Sequence, residues 1–221
     1  MSSAPQRLRV PPVAALLGAL ALAVTGCSGA TGDPSPAGDA TIPPSATASA
    51  PGGPVQVFED FSCPHCATFH AAYSEPLLAA DQDGEVEVQY RIVDFLGRGD
   101  PESWSTRAAQ AYYCVEGASD GDAELLHQYQ TWLFGQAAAG LQSGDSELVE
   151  KAAELSGGAG VDIGQCVAED GGSGKITAAL SDFSDAGLRG VPAVYADGTL
   201  YDADEHGELM PWLTGGDTAQ G

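Results

Sequence analysis

Val55-Gln56-Val57-Phe58-Glu59-Asp60-Phe61-Ser62-Cys63-Pro64-His65-Cys66-Ala67-Thr68-Phe69 is the stretch from which the rest of the chain is read. Val55, Val57, Phe58 and Phe61 predict an apolar strand over 55–61, and Cys63-Pro64-His65-Cys66 stands where that strand turns into a helix. Two thiols separated by two residues at such a turn suit reversible dithiol–disulfide chemistry. A helix N-terminus stabilises a thiolate, and the thiolate is the reactive form. The same spacing admits an inert structural disulfide or half of a zinc site. A closed zinc site needs four ligands, and beyond His65 and His70 only Cys114, Cys166, His127 and His206 are scattered candidates, so no metal is expected. Glu59 and Asp60 beside the turn suggest proton transfer to or from Cys66, but the default expectation for each is a solvated strand-end carboxylate.

The whole chain has 31 acidic against 8 basic residues and a formal net charge of −23. Phosphate-backbone binding needs clustered Lys and Arg, so no nucleic-acid partner is expected. Arg7 and Arg9 precede an apolar run over 13–24, which is too short to span a bilayer core of about 30 Å but suits the core of a signal peptide. It ends in Val24-Thr25-Gly26-Cys27, which resembles a bacterial lipobox, with Cys27 the residue to be lipidated; a plain secretory signal is the alternative. Residues 1–26 are thus read as a lipoprotein signal peptide. Residues 27–53, nearly all Ser, Thr, Pro, Ala, Gly and Asp, are read as a lipid-anchored linker that cannot bury enough surface to fold. The expected location is the extracytoplasmic face of the cell membrane, where disulfides persist.

Beyond the turn, Cys66, Phe69, Tyr73 and Leu77 form a core-facing helical stripe that Pro76 is expected to kink or break. Val86, Val88, Tyr90 and Ile92 alternate as a half-buried strand over 85–93. Helices are expected over 103–115 with Ser103 as cap, 122–134, 143–155 with Asp145 or Ser146 as cap, 162–169 and 173–186. Strands 193–196 and 199–201 then flank Asp197-Gly198, a hairpin turn, and a last helix over 205–213 is interrupted at Pro211. This is an α/β order, consistent with a thioredoxin-like fold that carries an inserted helical subdomain at about 95–187. The domain is placed at 54–214, with a tail at 215–221.

Phe58-Glu59-Asp60-Phe61-Ser62-Cys63-Pro64-His65-Cys66 resembles the active-site segment of DsbA-like thiol–disulfide oxidoreductases. Leu188-Arg189-Gly190-Val191-Pro192-Ala193 resembles the loop that faces it in that family, where the proline is cis. The resemblance implies Cys63 as nucleophile and Cys66 as the thiol that resolves the mixed disulfide. It implies His65 as a donor to the Cys63 thiolate, with Pro64 fixing the first helical turn. Val191 and Pro192 would present a backbone edge to an extended substrate. From the sequence alone Pro192 could equally be a trans proline opening an edge strand. Cys-Pro-His-Cys and Val191 resemble the oxidase rather than isomerases, many of which carry Thr before the proline. The expected activity is a disulfide-forming oxidase acting on exported proteins with free thiols. It would be monomeric, would need no cofactor, and would be reoxidised by a membrane enzyme of the DsbB or VKOR type implied by the family. The alternatives are a reductase or isomerase, a metallochaperone lipoprotein resembling Sco proteins, or a redox-inert binding module.

Cys114 and Cys166 lie inside the helical block and are expected to close a second, structural disulfide, with two buried free thiols as the alternative. Gly171-Gly172-Ser173-Gly174-Lys175 fails as a phosphate loop, since Glu169 stands at the first required Gly and Ile176 follows the Lys; it is read as a flexible loop before a helix. Asp81-Gln82-Asp83-Gly84 and Asp120-Gly121-Asp122 lack a calcium-ligand series and read as turns. Trp104, Trp132 and Trp212 read as packing residues.

Overall fold

β1 (Val55–Glu59) runs through the middle of the sheet, with Val55 and Val57 buried on one face and Phe58 on the other. In the computed structural model, which describes residues 53–157 and 161–215, it pairs in parallel with β2 (Val88–Ile92) and antiparallel with β3 (Ala193–Ala196). β4 (Thr199–Leu200) adds antiparallel to β3, giving the order β2-β1-β3-β4. The β3–β4 turn has positive φ at both central residues, Asp197 at 48° and Gly198 at 79°, which gives the hairpin its twist. This is the thioredoxin-like fold with an inserted helical block that the sequence leads one to expect.

α1 (Pro64–Gln82) covers one face of the sheet and α6 (Ser173–Asp185) the other. The strand period of two decides which side chain meets which helix. Val55 and Val57 pack with Leu77, Leu209 and Trp212, whereas Phe58 packs with Ala179 and Phe183. Between β2 and α6 come α2 (Trp104–Ala118), α3 (Ala123–Ala138), α4 (Asp145–Leu155) and the short α5 (Gly164–Ala168). Ser103 and Asp122 cap α2 and α3, accepting the amides of Thr106 and Leu125. Tyr112, Tyr129, Leu133, Leu148 and Ile163 are buried where these helices meet.

Several expectations need correction. Pro76 does not break α1: the helix runs through it. Pro76 and Ala72, whose carbonyl loses its partner, are both exposed, so that carbonyl is not left unpaired in the core. The buried stripe of α1 is Cys66, His70, Ser74, Leu77 and Ala80, while Phe69 and Tyr73 are only half-buried on its flank. Neither Asp145 nor Ser146 caps α4; Gly144 holds that position without a side-chain bond, and Asp145 is instead paired with Arg107 at 2.8 Å. The final helix is two pieces, α7 (Ala203–His206) and α8 (Leu209–Thr214), separated at Gly207 (φ 75°) rather than at Pro211. Pro211 is the third residue of α8, inside the first turn, where no intrahelical N–H is needed. Gly171 and Gly172 mark tight packing rather than a flexible loop. A Cβ on Gly171 would lie 2.7 Å from Cys166 Sγ, and one on Gly172 2.5 Å from the Gln110 carbonyl. Trp104 and Trp212 are buried in the core.

The signal peptide, Cys27, the linker up to residue 52 and the tail from 216 lie outside the described residues. Among the described residues no helix is long and apolar enough to cross a membrane.

Candidate active site

Cys63 is the N-cap of α1, with extended backbone at φ −88° and ψ 115°. Its Sγ accepts the Cys66 amide at 3.4 Å, and Pro64 fills the first helical position, where an N–H has no helical partner anyway. The positive end of the helix is thereby directed at the Cys63 sulfur. Cys63 and Cys66 are both free thiols; Cys63 is 6% exposed and Cys66 fully buried. Burial is the main force pushing the Cys66 thiol far above the ordinary thiol range. The backbone N–H link around Asp60 opposes this, while Cys63 and the negative charge of Glu59 add to it.

The 188–193 loop faces this turn. The Val191–Pro192 bond is cis, and Cys63 Sγ donates to the Val191 carbonyl at 3.6 Å across 128 residues of sequence. One open cleft borders the turn and another the loop. One, of about 460 Å³, is lined by Phe61, Cys63, Ala67, Ala71 and Ala137. The other, of about 600 Å³, lies beyond Pro192 against Phe69, Tyr73, Arg189 and Leu200. His65, the second residue of α1, is exposed, and among the described residues no hydrogen bond joins it to Cys63 in this dithiol form.

Glu59 and Asp60 are not solvated: both are 0% exposed. Glu59 is the last residue of β1, on the same face as Val55 and Val57, and so lies beneath α1. Its Oε2 accepts Gln130 Nε2 at 2.6 Å, and His70 Nδ1 stands 3.9 Å from the same oxygen. Desolvation holds the Glu59 carboxyl well above the carboxylate range, against the pull of Gln130. Burial, with the charge of His127, lowers His70 to about 4. The imidazole is therefore neutral at pH 7, and the contact is not a salt bridge. Asp60 does a different job: Oδ1 accepts the Ser62 amide at 2.7 Å, while Oδ2 accepts the Leu96 amide and the Ser105 hydroxyl, each at 2.8 Å. It ties the cysteine turn to the start of α2.

Cys63, Pro64, His65, Cys66, Val191 and Pro192 are thus brought to one place. Cys114 and Cys166 are joined elsewhere, linking α2 to α5 as a disulfide with Cα atoms 5.8 Å apart. The sequence reading missed Gln130, His127 and Thr131 as neighbours of the site. Gln130 carried a signal, since it lies between Leu126 and Phe134 at i, i+4 and i+8, a polar residue in an apolar helical stripe. Thr131 and His127 carried none.

A sequence model of thioredoxin matches residues 49–212, most of the chain. The chain belongs to the thioredoxin family. Its helical insertion and cis-proline loop make this thioredoxin-family member DsbA-like. It is similar to MdbA, a thiol-disulfide oxidoreductase from Corynebacterium diphtheriae, at 27% identity and TM-score 0.61, over 74% of this chain and 82% of that one. The fold of oxidised DsbA from Mycobacterium tuberculosis is also similar, at TM-score 0.53 and 22% identity over 79% and 96% of the two chains. An 82-residue stretch is 32% identical to the serine/threonine-protein kinase PknE of Mycobacterium tuberculosis. That stretch is 37% of this chain and only 14% of the kinase.

Proposed function

We propose that this protein, a DsbA-like thiol–disulfide oxidoreductase, works in the oxidising direction on exported proteins, held by a lipid on Cys27 at the extracytoplasmic face of the membrane. The observation that carries the reading is Cys63 Sγ at the N-cap of α1, facing the Val191 carbonyl across the cis Val191–Pro192 bond. A client cysteine, bound along the backbone edge at Val191 and Pro192, attacks the Cys63 sulfur of the Cys63–Cys66 disulfide. Cys66 leaves with the electron pair, and its strong preference for the neutral thiol means that it must take up a proton as it leaves. Glu59, which burial inclines to hold a proton, supplies it. A second client thiol then displaces Cys63, releasing an oxidised client and a reduced enzyme.

The direction rests on Cys-Pro-His-Cys and on Val191 before the cis proline, which resemble the oxidase. Reoxidation falls to a membrane partner of the DsbB or VKOR type, and the enzyme acts as a monomer. Kinase chemistry is not carried over from PknE, because the likeness spans so little of that protein. Equilibration with glutathione tests the direction. A potential near the oxidising end of the range from about −120 to −270 mV is expected, and one at or below the thioredoxin end would turn the reading into a reductase. For the clients, Cys66→Ala is expected to accumulate mixed disulfides in the cell envelope; none accumulating would remove Cys63 as the client-facing thiol.

A further inference from the structure

A carboxyl that trades protons with Cys66 must also trade them with solvent, and among the described residues Glu59 has no Lys or Arg beside it. Among the described residues its side-chain contacts are Gln130 Nε2 at 2.6 Å and His70 Nδ1 at 3.9 Å, while Oε1 has no hydrogen-bond partner. Gln130 is no route, because an amide neither gains nor loses a proton at ordinary pH. His70 is the remaining neighbour. It is 4% exposed, lies one turn beyond Cys66 on α1, and reaches with Nε2 to Thr131 Oγ1 at 2.9 Å. Thr131 is exposed on α3.

Counting hydrogens fixes the tautomer. The Thr131 hydroxyl has one proton, and donates it to the His127 carbonyl at 2.9 Å. Oγ1 therefore accepts from His70, so Nε2 carries the ring hydrogen and Nδ1 presents a lone pair. Nδ1 is the nitrogen that faces Glu59, and among the described residues it has no hydrogen-bond partner. The ring stands with its acceptor toward the buried carboxyl and its donor toward a surface hydroxyl. Phe134 and His127 pack against it with ring centroids at 5.0 and 5.8 Å.

We propose that His70 is the proton relay of the redox site, passing a proton from Glu59 to the Thr131 hydroxyl and solvent when the dithiol is oxidised, and inward when the disulfide is reduced. The proposal rests on the oxidoreductase reading above. In the outward direction an external disulfide first forms a mixed disulfide at Cys63. The Cys66 thiol then gives its proton to the Glu59 carboxylate, the Cys66 sulfur attacks Cys63, and the external thiolate leaves with the electron pair. The proton on Glu59 moves to Nδ1, and the Nε2 hydrogen leaves through Thr131 to water, which restores a neutral ring. Bringing Nδ1 and Oε2 from 3.9 Å to hydrogen-bond length takes about 1 Å of movement. The titratable groups around the pair are Cys63 and Cys66 at the start of α1, Tyr90 on β2, Tyr112 on α2 and His127 on α3. None of them offers Glu59 a hydrogen bond or an ion pair.

The test is oxidation of the reduced full-length chain by glutathione disulfide, with formation of the mixed disulfide and its closure by Cys66 followed separately. His70→Gln is expected to slow closure about tenfold and Thr131→Val about threefold, modest fractions of what acid–base assistance supplies. Closure in the parent protein is expected to slow in D2O, and less so in both variants. Mixed-disulfide formation, read in a Cys66→Ala background, and the glutathione equilibrium are expected to stay unchanged, which a merely structural role for His70 would not allow. Closure at the parent rate in both variants overturns the relay, as does a fall matched in the Cys63 step. If His70→Gln does not fold, Thr131→Val, a hydroxyl-to-methyl change on the surface, decides alone. A parent protein that forms no mixed disulfide at all would overturn the oxidoreductase reading instead.

Discussion

Two pairs of cysteines share one hydrophobic cluster and have opposite surroundings. Cys63 and Cys66 are free thiols at a helix N-terminus, with a facing loop and a buried carboxyl and imidazole beneath them. Cys114 and Cys166 are joined between α2 and α5, close against Gly171. One pair is surrounded by groups that stabilise a thiolate or move a proton. The other is surrounded by packed side chains that gain nothing from its opening. The same residue type is thus made reactive or inert by what lies within one shell of it.

The sharpest way to break the comparison is to exchange the losses. Cys63→Ala is expected to abolish disulfide exchange in an insulin-reduction or peptide-oxidation assay while leaving urea stability of the reduced protein near the parent value. Removing the other bond with Cys114→Ala and Cys166→Ala should do the reverse. Its closed segment has a sequence separation of 52, for which chain entropy gives about 4 kcal/mol of stability, read as a lower urea midpoint with exchange retained. If that double variant also loses exchange at temperatures where it is folded, the second pair is not merely structural.

Acid sensitivity separates the two regions next. His70 titrates near 6.5 when unfolded and at about 4 in the fold. Between those values the unfolded chain binds a proton that the folded chain refuses, so stability falls as pH drops through that window. The loss is about 3 kcal/mol by pH 4. Glu59 and Asp60 act with the opposite sign, holding protons in the fold, and are present in both proteins, so the difference between the parent and His70→Gln isolates the ring. Equal acid dependence of the two urea midpoints would mean that the imidazole is not buried neutral.

The smallest effect lies beside the structural disulfide. Gly172→Ala places a methyl 2.5 Å from the Gln110 carbonyl and 2.7 Å from its Cα, backbone that cannot turn aside. Parting α2 from α6 should cost about 2 kcal/mol, measured by denaturant unfolding, with the rate of exchange at Cys63 unaffected. Gly174→Ala, where a Cβ meets nothing within 4 Å, is the matched control.

Much of the redox turn was legible because its signals are local. A strand pattern, a Cys-x-x-Cys spacing and a proline at the first helical position lie within a dozen residues. The same holds for Ser103 and Asp122, whose capping depends only on the amides that follow. The final helix was misread at Pro211 because proline's cost depends on its place within the helix, and the true break, Gly207, fixed that place. Glu59 and Asp60 were misread for a deeper reason. Charged residues beside a turn are usually solvated, and their burial depends on α1 and α3 closing over one and the 94–105 segment over the other.

The sequence by itself determined the reactive dithiol, the α/β order with its helical insertion and the positions of most elements, all of which follow from periodicity and neighbouring residues. Only the tertiary structure decided that Val191 lies across from Cys63, that Cys114 and Cys166 are joined, and that Glu59, His70 and Thr131 form a line from the buried thiol to the surface. Those relations depend on which helix covers which face of β1. That choice is made by the packing of the whole core, which no local pattern encodes.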